Sequence, residues 1–479
     1  MFNSYSSKFV RAAAGLTLAA SLVWATSSPT VIGAEPVPPQ EAEAATPSPS
    51  PAPESPVPAV CAESALTVEL GSRLDIPGKY GMDRSAFTYA MKPAKMARVT
   101  DRGLVIPLAA GGSVLSVGTA EPSTGSLTPL CDISVTVRAA DIPKTPLTPK
   151  VETRKIKSGS KTFSVQVVTL PKGMPADVAL AGGKVGGVED LKDMALRSHA
   201  DAAVNGTFFE AYGGIPEPWD TIIHDGQIAH LSNKGTTIGF TADGIAKMDS
   251  LRIKIEGSIG GSDKWPNNWY AYFFNRTPSK ESNAATLFTP KRGSKIGFAY
   301  GTSIVVKAGI IEKIAANENV AIPQDGFVLV LTGTETKQAE RFQVGKTAAY
   351  RVRYMNAEGQ PMDWGDVVTA VGAGPRVLKD GKVAVDAKKE GFTQEKIISL
   401  AAARSGIGIR KDGSVVVVTV GKATVRELGD ILKAVGAVQG MNLDGGASSG
   451  LFAKGKMLTK PGRLISNSLV FGANLRFAP

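Results

Sequence analysis

The 479-residue sequence predicts an α+β fold: a large, mixed, β-rich domain with few helices, preceded by a small all-β sandwich. Three observations lead there. Short alternating runs of apolar and polar residues, punctuated by glycine and proline, recur through residues 59–139. Proline-rich stretches set those residues off on both sides. From residue 151 onward most apolar runs have the period of a strand, and the clearest helical stripe comes late, at Thr424 to Val435.

At the start of the chain, Lys8 and Arg11 precede an apolar stretch, Ala12 to Ala25, followed by small residues. This is the pattern of a secretory signal peptide, assigned to residues 1–34, with cleavage near Ala25-Thr26-Ser27 or near Ile32-Gly33-Ala34. The run falls short of the ~20 residues of a membrane span, which argues against an uncleaved anchor. No stable membrane span is expected after cleavage, and the protein is expected to be secreted or associated with the cell wall. Residues 35–58 form a linker, in which Pro47 to Pro53 favours an extended, semi-rigid chain.

Residues 59–139 carry strand patterns at Leu66 to Leu70, Leu104 to Pro107, Ser113 to Val117 and Ile133 to Val137. Nothing among them reads as catalytic; binding or spacing is the expected role. The Asp-x-Gly turn at Asp101 to Gly103 and the closing Val-Thr-Val strand resemble bacterial immunoglobulin-like domains. The two cysteines, Cys61 and Cys131, both fall here, and an even count in an exported chain suggests a disulfide. With only two cysteines and three histidines, no zinc site of usual spacing can be drawn, and no metal ligands are assigned. A second linker follows at 140–150, with Pro143, Pro146 and Pro149.

The large domain is assigned to 151–479. Phe163 to Val168 reads as a strand, and Val188 to His199 as a short helix with Leu191, Met194 and Ala195 on one face. Ile407 to Ile409, Asp412-Gly413 and Val415 to Val420 read as a hairpin. Thr424 and Glu427 form a capping box, Leu428, Ile431, Leu432 and Val435 make one apolar stripe, and Gly436 stands where a glycine ends a helix. That helix leads into Met441-Asn442-Leu443-Asp444-Gly445-Gly446-Ala447-Ser448, a strand running into a glycine-rich turn. Asn442 and Asp444, two apart, share a face, and the glycines let a ligand approach the backbone. The 54 basic and 43 acidic side chains leave a net charge of +11, spread without Lys/Arg blocks. This predicts mild attraction to anionic substrates and no nucleic-acid partner.

Three further polar clusters accompany Asp444: Asn205-Gly206-Thr207-Phe208-Phe209-Glu210, Gly372-Ala373-Gly374-Pro375-Arg376 and Ala403-Arg404-Ser405-Gly406-Ile407-Gly408-Ile409. In this order the four segments resemble the phosphodiester glycosidase family, that of the uncovering enzyme, which removes N-acetylglucosamine from its phosphodiester link. The resemblance extends over about residues 160–477. It departs at Ala447, where the family often has glycine, and at Ser405, where threonine is common.

The resemblance implies hydrolysis of a sugar-1-phosphodiester in a glycan phosphate or cell-wall polymer. Such chemistry needs a carboxylate at the anomeric carbon and cations for the phosphate. Asp444 is assigned as nucleophile or base and Glu210 as its partner. Arg376 and Arg404 are assigned to the phosphate, Asn205 and Asn442 to sugar hydroxyls or an acetamido group, and Thr207 and Ser448 to supporting contacts. No cofactor is certain; calcium is the possible exception, since Asp444 and main-chain carbonyls could hold one. The alternatives from other classes are a non-catalytic cell-wall or exopolysaccharide binding module and a metal-dependent phosphodiesterase.

Overall fold

The computed structural model describes residues 57–84, 86–120, 127–139 and 147–477. The predicted signal segment 1–34, residues 35–56 of the first predicted linker and residues 140–146 of the second lie outside them. Pro56–Pro479 forms one compact unit. Strands dominate and helices are few, as the alternating patterns predict. Among the described residues no helix is long and apolar enough to cross a membrane.

The first part of this unit holds two small sheets. One has the strand order Ala65–Glu69, Leu127–Arg138, Gly111–Ala120, Thr88–Lys92; the other runs Leu74–Asp75, Leu104–Pro107, Ala97–Val99. Leu66, Val68, Leu115, Val117, Ile133 and Val135 form their shared core. Cys61 and Cys131 are joined in a disulfide at its edge, with Cα atoms 5.7 Å apart. The strand Leu104–Pro107 is buried on both faces. Val105 turns into this core, while Leu104 and Ile106 turn into one shared with Phe452, Val470 and Phe477. A period of two thus attaches the small sheets to the rest of the chain.

Charge reinforces the attachment. Arg73, 5 % exposed, stands 3.5 Å from Asp177 and 3.7 Å from Asp225, with its guanidinium 4.4 Å over the Phe477 ring. Arg98 pairs with Asp225 at 2.5 Å. Arg102 donates to the carbonyls of Gly226 and Gly365, each at 2.9 Å.

The larger part is organised by a seven-stranded antiparallel sheet. From one edge its strands are Lys382–Val383, Arg376–Lys379, Ala437–Asn442, Ala402–Arg410, Val415–Ala423, Lys161–Leu170 and Lys150–Ser158. Val416, Val418 and Val420 point to one face, where the helix Val425–Ala434 lays down Leu428, Ile431 and Leu432. Val415 and Val417 point to the other, into a core with Val204, Ile238, Val371 and Leu469 from two five-stranded sheets. The helix begins in the expected capping box, and Gly436 follows it at φ +89°. The shorter predicted helix is observed as Leu191–Arg197, with Leu191, Met194 and Ala195 buried.

A second lobe grows out of residues 250–366. Ile253, Trp269, Leu287, Ile304, Leu329 and Trp364 fill its core.

Candidate active site

Two strand ends meet where the seven-stranded sheet abuts the sheet that contains Ala202–Asn205. The Asp444 N–H donates to the Gly206 carbonyl at 3.1 Å, and Asn205 Nδ2 donates to the Asp444 carbonyl at 2.8 Å. Asn205 Oδ1 accepts from Ser405 Oγ at 2.6 Å and from the Gly450 N–H at 3.0 Å. Leu443 N–H donates to the Ser405 carbonyl at 2.9 Å. The Asn-Gly-Thr, Arg-Ser-Gly and Asn-Leu-Asp-Gly segments are therefore one knot of hydrogen bonds. Gly206 is required there, because a Cβ would lie 2.0 Å from Asn467 Oδ1.

On this knot sits a cavity of about 160 Å³ with Asp444 in its wall. Phe208, Phe209 and Trp219 supply aromatic surface, and Arg404, Lys396 and Arg463 supply three cations. Arg404 is 2 % exposed. Its Nε donates to the Ala423 carbonyl at 3.0 Å, and its Nη2 to the carbonyls of Lys396 and Leu400 at 2.8 and 2.5 Å. It thereby holds in place the short turn that brings Lys396 to the rim. Arg463 Nη2 donates to the Tyr212 hydroxyl at 3.1 Å, and Lys396 Nζ lies 5.6 Å over the Tyr212 ring. The Arg463 bond pulls the exposed Tyr212 phenol below its ordinary pKa.

Burial pushes the Asp444 carboxyl up to about 6, against the opposing pull of Ser448, the Gly445 N–H, Arg463 and Lys396. A second carboxyl, Asp220, lies behind the cavity wall and is fully buried. Thr207 Oγ1 donates to its Oδ2 at 3.3 Å; its Oδ1 has no hydrogen-bond partner, and Lys234 Nζ stands 3.9 Å away. Burial raises this carboxyl too to about 6, Lys234 and Thr207 oppose the rise, and the charge of nearby Asp444 adds to it.

The structure sorts the predicted residues into three groups. Asp444, Arg404 and Ser448 line the cavity together. Asn205, Thr207 and Asn442 are not among the cavity's lining residues; all three are buried, with Asn205 bonded to the Asp444 carbonyl and Ser405, and Thr207 to Asp220. Asn442 Nδ2 is engaged by the Gly374 carbonyl at 2.8 Å. Glu210 and Arg376 line other clefts. Glu210 alternates outward from the buried Phe209, accepts from the Tyr212 N–H at 3.1 Å and borders the neighbouring groove. Arg376 stands opposite Met441 in the sheet and runs along that face to bond Gln439 and the Met248 carbonyl, in a separate cleft.

Sequence reasoning passed over Lys396, Trp219, Tyr212 and Asp220. Lys396 lies on the short helix Glu395–Ile398, which no sequence pattern singled out. Trp219-Asp220 carried a signal, an aromatic and a carboxylate just after Pro216 and Pro218.

One group of side chains has metal-ligand geometry among the described residues: Asp177, His224 and Asp225, with ligand atoms within 4.8 Å of one another. Asp444 is not part of it. The cations Arg73, Arg98 and Lys291 already surround the group, and Lys291 Nζ donates to His224 Nδ1 at 2.9 Å. This is the composition of an internal ion-pair network, with three cations for two carboxylates and an imidazole, rather than the oxygen cage calcium requires.

Residues 300–472 match the phosphodiester glycosidase family model. That span holds Arg404, Asp444 and Arg463 and leaves out Asn205 and Asp220. Comparison with curated proteins gives no match. In fold, the chain is similar to a hypothetical protein from Synechocystis, at a TM-score of 0.61 and 18% identity over 80% of this chain and 81% of that one. It is also similar to a protein of Burkholderia pseudomallei K96243, at a TM-score of 0.54 and 20% identity over 65% and 74% of the two chains. The catalytic domain of zebrafish N-acetylglucosamine-1-phosphodiester alpha-N-acetylglucosaminidase gives 0.38 and 14% over 69% and 84%, too loose a likeness to carry an argument.

Proposed function

We propose that this protein is a secreted hydrolase that cuts the glycosyl bond of a sugar-1-phosphodiester in a glycan or cell-envelope polymer. The observation that carries the reading is the cavity's charge: one carboxylate, Asp444, against the three cations Arg404, Lys396 and Arg463, beside an aromatic wall. A phosphate bridged to a pyranose has this complement, an anion for the cations and C–H faces for the rings. The match of residues 300–472 to the phosphodiester glycosidase family supports the same reaction class.

In this reading Asp444 faces the anomeric carbon as nucleophile or base. The bond from that carbon to the phosphate oxygen breaks, and the electron pair leaves with the phosphate. Arg404, Lys396 and Arg463 stabilise the charge that develops there, so the leaving group needs little protonation. Water supplies the new hydroxyl of the freed sugar, either directly with Asp444 as base or by cleaving the glycosyl ester that Asp444 has formed as nucleophile, and its proton passes to the Asp444 carboxylate. Asp220 does not touch the cavity. It is a positioning residue, acting through Thr207 and the Gly206 carbonyl that holds Asp444.

The full-length protein, incubated with the methyl diester of N-acetylglucosamine 1-phosphate, is expected to release free N-acetylglucosamine and methyl phosphate. Release of sugar phosphate and methanol would instead identify a phosphodiesterase. Asp444→Asn is expected to lower kcat about 10²–10⁴-fold; full activity in that variant would remove Asp444 from the chemistry.

A further inference from the structure

Two of the cavity's cations, Lys396 and Arg463, meet at one side chain, Tyr212. Arg463 Nη2 donates to the phenol oxygen at 3.1 Å, and its guanidinium carbon lies 5.0 Å from the ring centroid. Lys396 Nζ lies 5.6 Å from the same centroid. The three residues belong to distant segments. Lys396 is on the helix Glu395–Ile398, Arg463 lies between the strands Lys456–Thr459 and Asn467–Phe471, and Tyr212 is carried by the loop ahead of Trp219. Tyr212 is 77% exposed, so apolar burial does not account for its place at the cavity mouth.

The stem of that loop is braced. Phe209 and Pro218 pair as antiparallel neighbours, and the Glu210 N–H donates to the Glu217 carbonyl at 2.9 Å. The Glu217 carboxylate accepts from the Thr277 N–H at 3.1 Å and pairs with the buried Arg292, which ties the stem to the second lobe. At the tip, Glu210 Oε1 accepts from the Tyr212 N–H at 3.1 Å. The stem thus presents Tyr212 to both cations. Two like charges gathered at one cavity repel, and a carboxylate between them would hold them but cancel their charge. Among the described residues neither Lys396 nor Arg463 pairs with a carboxylate. The face of an aromatic ring attracts a cation through its quadrupole and carries no net charge. One of the five guanidinium N–H donors goes to the phenol, and the others remain for an anion.

We propose that Tyr212 is a positioning residue for the substrate's phosphate: its ring and hydroxyl hold Lys396 and Arg463 together at the cavity mouth and leave the charge of both available. The inference rests on the reading of the cavity as a sugar-phosphate site and names the residue that assembles two of its three cations.

The test is calorimetric titration of the full-length protein and two variants with inorganic phosphate. Tyr212→Leu removes ring and hydroxyl and is expected to weaken phosphate binding about tenfold, the combined scale of two exposed cation–π contacts. Tyr212→Phe keeps the ring and is expected to stay within about threefold of the natural protein. Phosphate drawing on the same cations is also expected to raise the pKa of the Tyr212 phenol, which the Arg463 bond holds low, read as the phenolate absorbance of the natural protein minus that of Tyr212→Phe. A Kd unchanged in Tyr212→Leu, or a phenol that bound phosphate leaves unmoved, overturns the positioning role while leaving the cavity reading in place. If Tyr212→Phe binds as weakly as Tyr212→Leu, the effect lies in the hydroxyl alone and the two-cation bridge is overturned. If phosphate does not bind the natural protein, the cationic cavity itself is misread and the inference falls with it. Circular dichroism of both variants checks that the fold is retained.

Discussion

Replacing Asp220 by asparagine should make the protein more stable at neutral and alkaline pH. The carboxyl is fully buried, and its Oδ1 accepts no hydrogen bond. Burial raises its pKa from 3.8 to about 6 in the folded state. In the unfolded chain it ionises near the lower value. Between the two, the folded protein binds more protons than the unfolded one, so stability falls as pH rises. The gap, at 1.36 kcal/mol per pH unit, amounts to about 3 kcal/mol lost by pH 8. Asparagine is neutral at every pH, matches the protonated acid in shape and can still accept from Thr207. Lys234 is not stranded, since its side chain is 34% exposed. Urea unfolding should therefore find Asp220→Asn more stable than the natural protein by about 2–3 kcal/mol at pH 8, with the difference shrinking below about 1 kcal/mol at pH 4. Activity should change little in the same variant, because asparagine still accepts from Thr207 behind Asp444. A variant less stable at pH 8, or one whose stability keeps the natural pH slope, would refute the claim that Lys234 and Thr207 offset only part of this carboxylate's burial.

Three other outcomes follow from the geometry. The acid limb of the kcat/KM profile should have an apparent pKa near 6, since Asp444 must lose its proton and burial holds that step up to about 6; Asp444→Asn should flatten the limb along with the rate. Gly206→Ala places a Cβ 2.0 Å from Asn467 Oδ1 and should lower Tm and activity together, as the same residue's carbonyl holds the Asp444 N–H. Cys61→Ser opens a loop with a sequence separation of 70, and should cost about 4 kcal/mol, read as a lower urea midpoint under oxidising conditions.

Much of the architecture was legible because it is written in local periods. The capping box at Thr424 and Glu427, the stripe from Leu428 to Val435 and the alternation from Val415 to Val420 each constrain a few neighbouring residues, and each is observed as read. The hairpin and the motif strand are neighbours in the seven-stranded sheet, and the helix between them packs on one of its faces. The site was legible only where a motif ends a strand. Asp444 and Arg404 could be singled out because glycines and polar residues interrupt apolar runs. The direction of a side chain just past a strand end, by contrast, is set by packing against distant segments. Glu210 and Arg376 look like fitting partners for Asp444 in one dimension and point into other clefts in three.

By itself, the sequence determined a β-rich chain with a disulfide near its front and a late aspartate in a glycine-rich turn, since strand period, capping chemistry and turn residues act over a few positions. Only the tertiary structure decided which charges share a cavity. Lys396 arrives on a turn held by Arg404, Arg463 arrives from the last strands, and Asp220 arrives under the aromatic wall, brought together by long-range sheet pairing and desolvation. Neither of those forces leaves a local mark on the residues it gathers.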